Sequence, residues 1–175
     1  MPIESLIRTI PHYPRPGVMF RDITTLLKDP VGFRLTVNEL LRRYRDQRID
    51  KVAAIESRGF IIGAPLAFEL GAGFVPLRKK GKLPAETVGQ DYELEYGADR
   101  IEMHVDAILR EERILLVDDL LATGGTAQAS CKLIESAGGR VVECCFVIDL
   151  PELGGRRRLQ DQGYAVHALV EFPGH

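Results

Sequence analysis

Apolar residues in this chain follow two rhythms. Phe33, Val37, Leu40, Leu41 and Tyr44 recur every three or four residues, which predicts an amphipathic helix over Val31–Arg48. Asp29 ahead of Pro30 supplies an N-cap and a first-turn proline. Short apolar runs at Val52–Ile55, Phe74–Leu77, Ile114–Val117 and Val141–Ile148 read as buried strands of a parallel sheet, with Ala165–Val170 as the last strand. Between them, Gly59–Leu70 reads as a helix stopping at Gly71, about Gly125–Ala137 as one stopping at Gly138-Gly139, and Glu152–Gln162 as a third. Tyr92–Tyr96 and Arg100–Val105 alternate apolar and polar residues around Gly97, the pattern of an antiparallel hairpin. Ile3–Thr9 reads as a short helix. Ile10–Asp22, with Pro11, Pro14, Pro16 and Gly17, reads as a loop without regular structure, and Arg78–Asp91 as a second long loop.

Strands alternating with helices predict an α/β fold: a doubly wound, mainly parallel sheet flanked by helices, with a hairpin and flexible loop over the site. Ligands of such sheets bind beyond the carboxyl ends of the strands, so the turn after Ile114–Val117 is the expected site. A length of 175 residues suits a single domain, 1–175. The net charge of −2 and pI of about 6.1 argue against a nucleic-acid partner. No apolar stretch approaches the roughly 20 residues of a membrane span, and the amino-terminal residues lack a signal-peptide pattern. A cytoplasmic location is therefore expected. The odd number of cysteines (Cys131, Cys144 and Cys145) and the lack of CxxC spacing argue for buried thiols in a reducing compartment. In a strand, Cys144 and Cys145 point to opposite faces.

The chemistry concentrates in Ile114-Leu-Leu-Val-Asp-Asp-Leu-Leu-Ala-Thr-Gly-Gly-Thr126. This is an apolar strand, two carboxylates, and a small hydroxyl-rich turn opening a helix. Free N–H groups and partial positive charge make a helix N-terminus a phosphate site. Gly124 and Gly125 let backbone approach an anion, while Thr123 and Thr126 add hydroxyl donors. Asp118 and Asp119 would repel that phosphate unless they face sugar hydroxyls, with or without a divalent cation. The string is neither a Walker loop nor a GxGxxG turn. Arg58, just past a strand end in Glu56-Ser-Arg-Gly-Phe60, is either an anion contact or a solvated side chain behind a Ser57 cap. Arg78-Lys-Lys-Gly-Lys82 packs four cations into five residues, read either as solvated surface or as a lid over a polyanion. Arg156-Arg157-Arg158 reads as a solvated helix face, and no ligand role falls to His12, His104, His167 or His175.

The run ending Asp118-Asp-Leu-Leu-Ala-Thr-Gly-Gly-Thr126 resembles the phosphoribosyl-pyrophosphate motif of type I phosphoribosyltransferases, and its Leu-Leu-Ala form resembles the adenine-specific branch. The likeness extends from about Ile10 to Leu150. It implies transfer of a 5-phosphoribosyl group from phosphoribosyl pyrophosphate to adenine, giving AMP and pyrophosphate in purine salvage. It further implies magnesium, carried mainly by the substrate with no certain direct protein ligand, and a homodimer. Residues 1–30 would form the base-binding hood, and 78–105 the flexible catalytic loop and hairpin. Ala122, Thr123, Gly124, Gly125 and Thr126 would hold the 5′-phosphate, with Asp118 and Asp119 on the ribose. Arg58 and the basic residues Arg78, Lys79 and Lys82 would take the pyrophosphate. The Arg58 loop of this family often contains a non-proline cis peptide.

Two further segments carry the likeness. In Leu94-Glu-Tyr-Gly97, Glu95 would lie near the base and the reacting carbon with Tyr96 beside it; the plainer reading is an exposed charge on an edge strand. In Tyr13–Ile23, Phe20 would stack on the purine, and the backbone at Met19 and Arg21 would read its edge. Leu150 would be an apolar contact above the base; the equal alternative is that Leu150-Pro151 is simple strand-end packing. Enzymes for xanthine, guanine or orotate keep the same fold, but Tyr13–Ile23 and Leu94–Gly97 argue against them. A non-catalytic regulator binding the activated sugar and a nucleic acid would need a broad basic face, which the charge balance argues against.

Overall fold

The computed structural model describes residues 2–94 and 96–174. A 3-10 turn at Ile3–Leu6 leads into strands β1 (Arg8–Pro11) and β2 (Met19–Asp22), then helices α1 (Thr24–Leu27) and α2 (Pro30–Tyr44). There follow β3 (Lys51–Ile55), α3 (Arg58–Leu70), β4 (Gly73–Lys79), β5 (Thr87–Glu93), β6 (Ala98–His104), β7 (Arg113–Leu121), α4 (Gly125–Ser136), β8 (Arg140–Asp149), α5 (Gly155–Asp161) and β9 (Val166–Glu171).

The main sheet has the order β5-β6-β4-β3-β7-β8-β9. From β4 to β9 the neighbours run parallel, while β5 and β6 form an antiparallel hairpin at one edge. From β3 the chain goes first to β4 on one side and later to β7 on the other. The reversal leaves a crevice between β3 and β7 at their carboxyl ends, where such sheets bind ligands.

The parallel strands alternate between two cores. Ala53, Ile55, Leu116, Cys144 and Phe146 pack with α4 and α5 residues such as Ile134 and Leu159. Val52, Ala54, Leu115, Val117 and Cys145 pack with Leu40, Tyr44, Ile62 and Leu66 of α2 and α3. Burial on both faces accounts for the unbroken apolar runs. Helix α2 starts as expected, with Asp29 Oδ1 accepting from the Val31 amide at 3.1 Å. It stops at Tyr44 and not Arg48, because Arg45, Asp46, Gln47 and Arg48 continue no apolar stripe. Its last turn is tied to the sheet through Glu143, which accepts from Tyr44 Oη at 2.6 Å and from Arg43 at 2.8 and 3.0 Å.

Several boundaries differ from the sequence reading. Ile3–Thr9 is a 3-10 turn followed by strand, and Ile10–Asp22 is not irregular throughout. Arg8, Thr9, Ile10 and Pro11 pair antiparallel with Asp22, Arg21, Phe20 and Met19. Pro14, Pro16 and Gly17 are confined to the connection, where they cost no ladder bond. Strand β4 runs on through Lys79 and β5 begins at Thr87, so the long loop shrinks to residues 80–86. The exposed faces of β5 hide its periodicity. Strand β7 continues through both aspartates to Leu121, held by pairing with β8. The expected Glu152–Gln162 helix is split into a 3-10 turn at Pro151–Leu153 and α5. Arg156 is not solvated surface: its Nε donates to the fully buried Asp149 at 2.9 Å, and its Nη1 to the Val166 carbonyl at 3.1 Å. Arg157 and Arg158 are exposed, as expected of a solvated face, with Arg158 Nε donating to Gln128 Oε1 at 2.8 Å.

Among the described residues no helix is long and apolar enough to cross a membrane, and no group of three or more His, Cys, Asp and Glu is placed to hold a metal ion.

Candidate active site

Four neighbouring strands, β4, β3, β7 and β8, deliver their carboxyl ends to one cavity of about 820 Å³. Strand β4 contributes Lys79; the turn after β3 contributes Glu56, Ser57 and Arg58; β7 contributes Asp118 and Asp119. Ala122, Thr123 and Thr126 follow, with Leu150 and Leu153 beyond β8. The β1–β2 hairpin closes the opposite side with Arg15, Val18, Met19, Phe20 and Arg21.

At the start of α4, Gly124 caps the helix with φ of 86°, a left-handed conformation that costs a side-chain-bearing residue and not glycine. The helix then starts at Gly125 with its first amides free of intrahelical partners. A smaller cavity of about 120 Å³ lies against Ala122–Ala127, Asp118 and Phe146. The turn is held from outside by Gly155, whose amide donates to the Ala122 carbonyl at 3.0 Å. A Cβ on Gly155 would sit 2.5 Å from that carbonyl oxygen and 3.0 Å from the Gly124 nitrogen, so only glycine fits there without moving the turn.

In the crevice between β3 and β7, Arg58 Nε donates to Asp119 Oδ2 at 2.7 Å. The arginine side chain is about half exposed, and a pair of that kind contributes at most about 1 kcal/mol to folding. Stability therefore does not explain placing two charges in the mouth of the cavity. The Asp119 bond, followed in effect by the opposing loss of hydration, raises the Arg58 pKa further. Asp118 Oδ1 accepts the Asp119 amide at 2.8 Å. Burial first, and then the adjacent Asp119 charge, push the Asp118 carboxyl well above the usual range. Successive strand residues face opposite ways, and here Asp118 reaches both cavities while Asp119 reaches only the larger.

The bond between Glu56 and Ser57 is the non-proline cis peptide of this loop. The Ser57 side chain makes no cap bond, so the capping reading of that position is not realised. Glu56 instead gathers the basic loop: it accepts from the Lys79 amide and from Lys82 Nζ, both at 2.7 Å, and Arg78 Nε lies 3.3 Å away. Burial pulls its pKa up, but the Lys82 and Lys79 bonds outweigh it and hold the carboxyl below its ordinary value. Lys79 Nζ is bound to Asp99 at 2.5 Å.

The chain matches the family model of the phosphoribosyl transferase domain over residues 27–167. It is 70% identical over 175 residues to the adenine phosphoribosyltransferase of Nitrosospira multiformis, covering 100% of both chains. The chain belongs to the adenine phosphoribosyltransferase family. Solved members share the fold. The enzyme of Rhodothermus marinus is 51% identical with a TM-score of 0.91, over 97% of this chain and 96% of that one. The enzyme of Saccharomyces cerevisiae, solved with adenine and an imino-altritol bisphosphate, is 35% identical with a TM-score of 0.89, over 96% of each chain.

Of the residues singled out in sequence, the large cavity of this adenine phosphoribosyltransferase family member collects Arg58, Asp118, Asp119, Ala122, Thr123, Thr126, Lys79, Met19, Phe20, Arg21 and Leu150. Gly124 and Gly125 line the smaller one. Arg78 and Lys82 stand off the wall on Glu56, and Tyr96 is 82% exposed at the hairpin turn. Glu95 lies outside the described residues. Sequence reasoning missed Arg15 and Val18 on the hairpin wall, Glu56 as the hub of the cations, and Gly155 behind the phosphate turn. Glu56 stood inside a motif already marked, but its partners lie more than 20 residues away. Gly155 carried no local signal.

Proposed function

We propose that this cavity is where the chain carries out its family's reaction, transfer of the 5-phosphoribosyl group from phosphoribosyl pyrophosphate to adenine, giving AMP and pyrophosphate in purine salvage. The observation that carries the assignment is the Arg58–Asp119 pair. It sets a cation and two carboxylates between a phosphate-binding helix start and an aromatic wall. The amides and hydroxyls of Thr123–Thr126 hold the 5′-phosphate. Asp118 and Asp119 face the ribose hydroxyls and stabilise positive charge at the anomeric carbon as pyrophosphate departs. Arg58 takes pyrophosphate oxygens, and Lys79, Arg78 and Lys82 close over them as the tetra-anion draws the two cations from Glu56. Phe20 and Leu150 enclose the purine, while the backbone at Met19 and Arg21 reads its edge. Glu95 and Tyr96 complete the site beside the base when the hairpin approaches.

The donor set suits magnesium brought on substrate oxygens, because the chain offers two carboxylates at the crevice and no self-sufficient metal cluster among the described residues. When bound, the ion would supply charge neutralisation to the pyrophosphate, and Asp118 and Asp119 would hold the hydroxyls beside it. Ile61 and Phe68 lie two turns apart on one face of α3 and are exposed, Phe68 by 82%, which supports burial against a second copy in a homodimer; sedimentation equilibrium tests this. Three free thiols support a reducing, cytoplasmic setting.

The test is pyrophosphate release with magnesium, the activated sugar and each nucleobase in turn. Turnover with adenine and not with hypoxanthine, guanine, xanthine or orotate is expected. Turnover with another base would keep the phosphate site and overturn the base reading. Tight sugar binding without turnover on any base would overturn the catalytic one.

A further inference from the structure

The base-reading hairpin must be held still, and its own sequence does little to hold it. Among the described residues, strands β1 and β2 pair only with each other. What joins β2 to the distant end of the chain is the side chain of Arg21. Its Nη2 donates to the Pro173 carbonyl at 3.0 Å, across 152 residues of sequence. The guanidinium lies 4.6 Å above the centre of the Phe172 ring. Nη1 donates to Thr9 Oγ1 on the paired strand at 2.6 Å. Phe172 is anchored in turn: its amide donates to the Asp149 carbonyl at 3.1 Å, and its ring packs against the core beneath α2 and α3. Asp149 immediately precedes Leu150, the residue on the opposite wall of the cavity. The segment after β9 therefore touches, through one residue each, both walls that would enclose a purine.

We infer that Phe172 and Pro173 are positioning residues for base recognition, fixing the Met19–Arg21 strand by clamping the Arg21 guanidinium. Both terminal nitrogens of Arg21 are engaged within the protein, so its side chain sets where its backbone stands. This inference rests on the reading of Met19–Arg21 as the edge that meets adenine. A clamp on the hairpin leaves the phosphate turn alone, because that turn is held separately by Gly155.

The experiment is steady-state kinetics with adenine and with phosphoribosyl pyrophosphate varied separately. Phe172→Leu keeps apolar bulk and removes the ring. It is expected to raise KM for adenine about two- to five-fold, the usual effect of losing a cation–π contact, with kcat and KM for the sugar unchanged. Phe172→Tyr restores the ring and is expected to restore KM. Thr9→Val, an exposed change that frees the other nitrogen, is expected to act in the same selective direction. An unchanged adenine KM in Phe172→Leu overturns the inference, as does a parallel rise in both KM values with a lowered melting temperature. Phe20→Ala separates the two levels. If it leaves adenine KM untouched, the base reading itself has failed; if it raises KM while Phe172→Leu does not, only the clamp has failed.

Discussion

The two ends of the cavity are built on different principles. The end proposed to take the phosphate is continuous chain: a central strand, a turn and a helix start, backed by the Gly155 amide on the Ala122 carbonyl. Its donors are main-chain groups whose position follows from the fold. The end proposed to take the base and pyrophosphate is held together by side chains of distant segments. Glu56 gathers Lys79, Lys82 and Arg78, Asp22 gathers Arg8 and Thr24, and Arg21 is held by Thr9, Phe172 and Pro173. Main-chain sites are preorganised and tolerate little change; side-chain assemblies trade rigidity for the ability to open around a substrate. The contrast teaches that the end proposed to hold the unreacting phosphate is fixed, while the parts proposed to admit a base and release pyrophosphate are latched.

The strongest challenge to that contrast is Asp119→Asn. It removes charge at the reacting centre without removing a core contact, so kcat/KM is expected to fall on the order of 100-fold or more. The melting temperature should stay within about 4 °C, since Arg58, the partner of the buried Asp119, is half exposed and the pair contributes at most about 1 kcal/mol to folding. Unchanged turnover in calorimetrically normal protein would take the acidic pair out of the mechanism.

Gly155→Ala probes the fixed end from behind. The added methyl must displace the Ala122 carbonyl, and a misplaced phosphate turn should raise KM for the sugar about ten-fold while leaving KM for adenine near its original value. An equal rise in both would mean that the two ends are not held independently.

Asp22→Asn tests the latched end, with the smallest effect. Burial raises the Asp22 pKa, but bonds from Arg8 and Thr24 prevail and bring it to about 2. A carboxyl depressed in the folded state stabilises above its unfolded value, roughly 3.9, and the contribution is lost as pH falls toward the folded value. Wild type should exceed the variant by about 1–2 kcal/mol at neutral pH, less than the full shift implies because Arg8 is half exposed. The gap should narrow below about pH 4 and close near pH 2. A gap that does not change with pH in denaturant titrations would assign the effect to packing.

The same division governs what could be read from sequence. The parallel strands and the phosphate turn were legible because their signals are local: unbroken apolar runs, then two glycines and two threonines at a helix start. The β1–β2 hairpin was not, because prolines that lie in its connection masked the pairing of Arg8–Pro11 with Met19–Asp22. Arg156 read as solvated because its partner, Asp149, is reached only after the chain turns a corner at Pro151–Leu153. The role of Glu56 depends on groups 23 and 26 residues away, and that of Phe172 on Arg21, 151 residues away in sequence. Long-range side-chain partnerships leave no periodic trace.

Cys144 and Cys145 are neighbours in the chain but belong to opposite cores, the first beside Cys131 at 3.4 Å and the second beneath α2 and α3. Burial pushes the Cys145 thiol up to about 12, which makes it inert in the closed protein. An alkylating reagent can reach either sulfur only after its own side of the sheet comes apart. The chain therefore carries two adjacent native reporters, and the order in which they are labelled tells which layer unseals first.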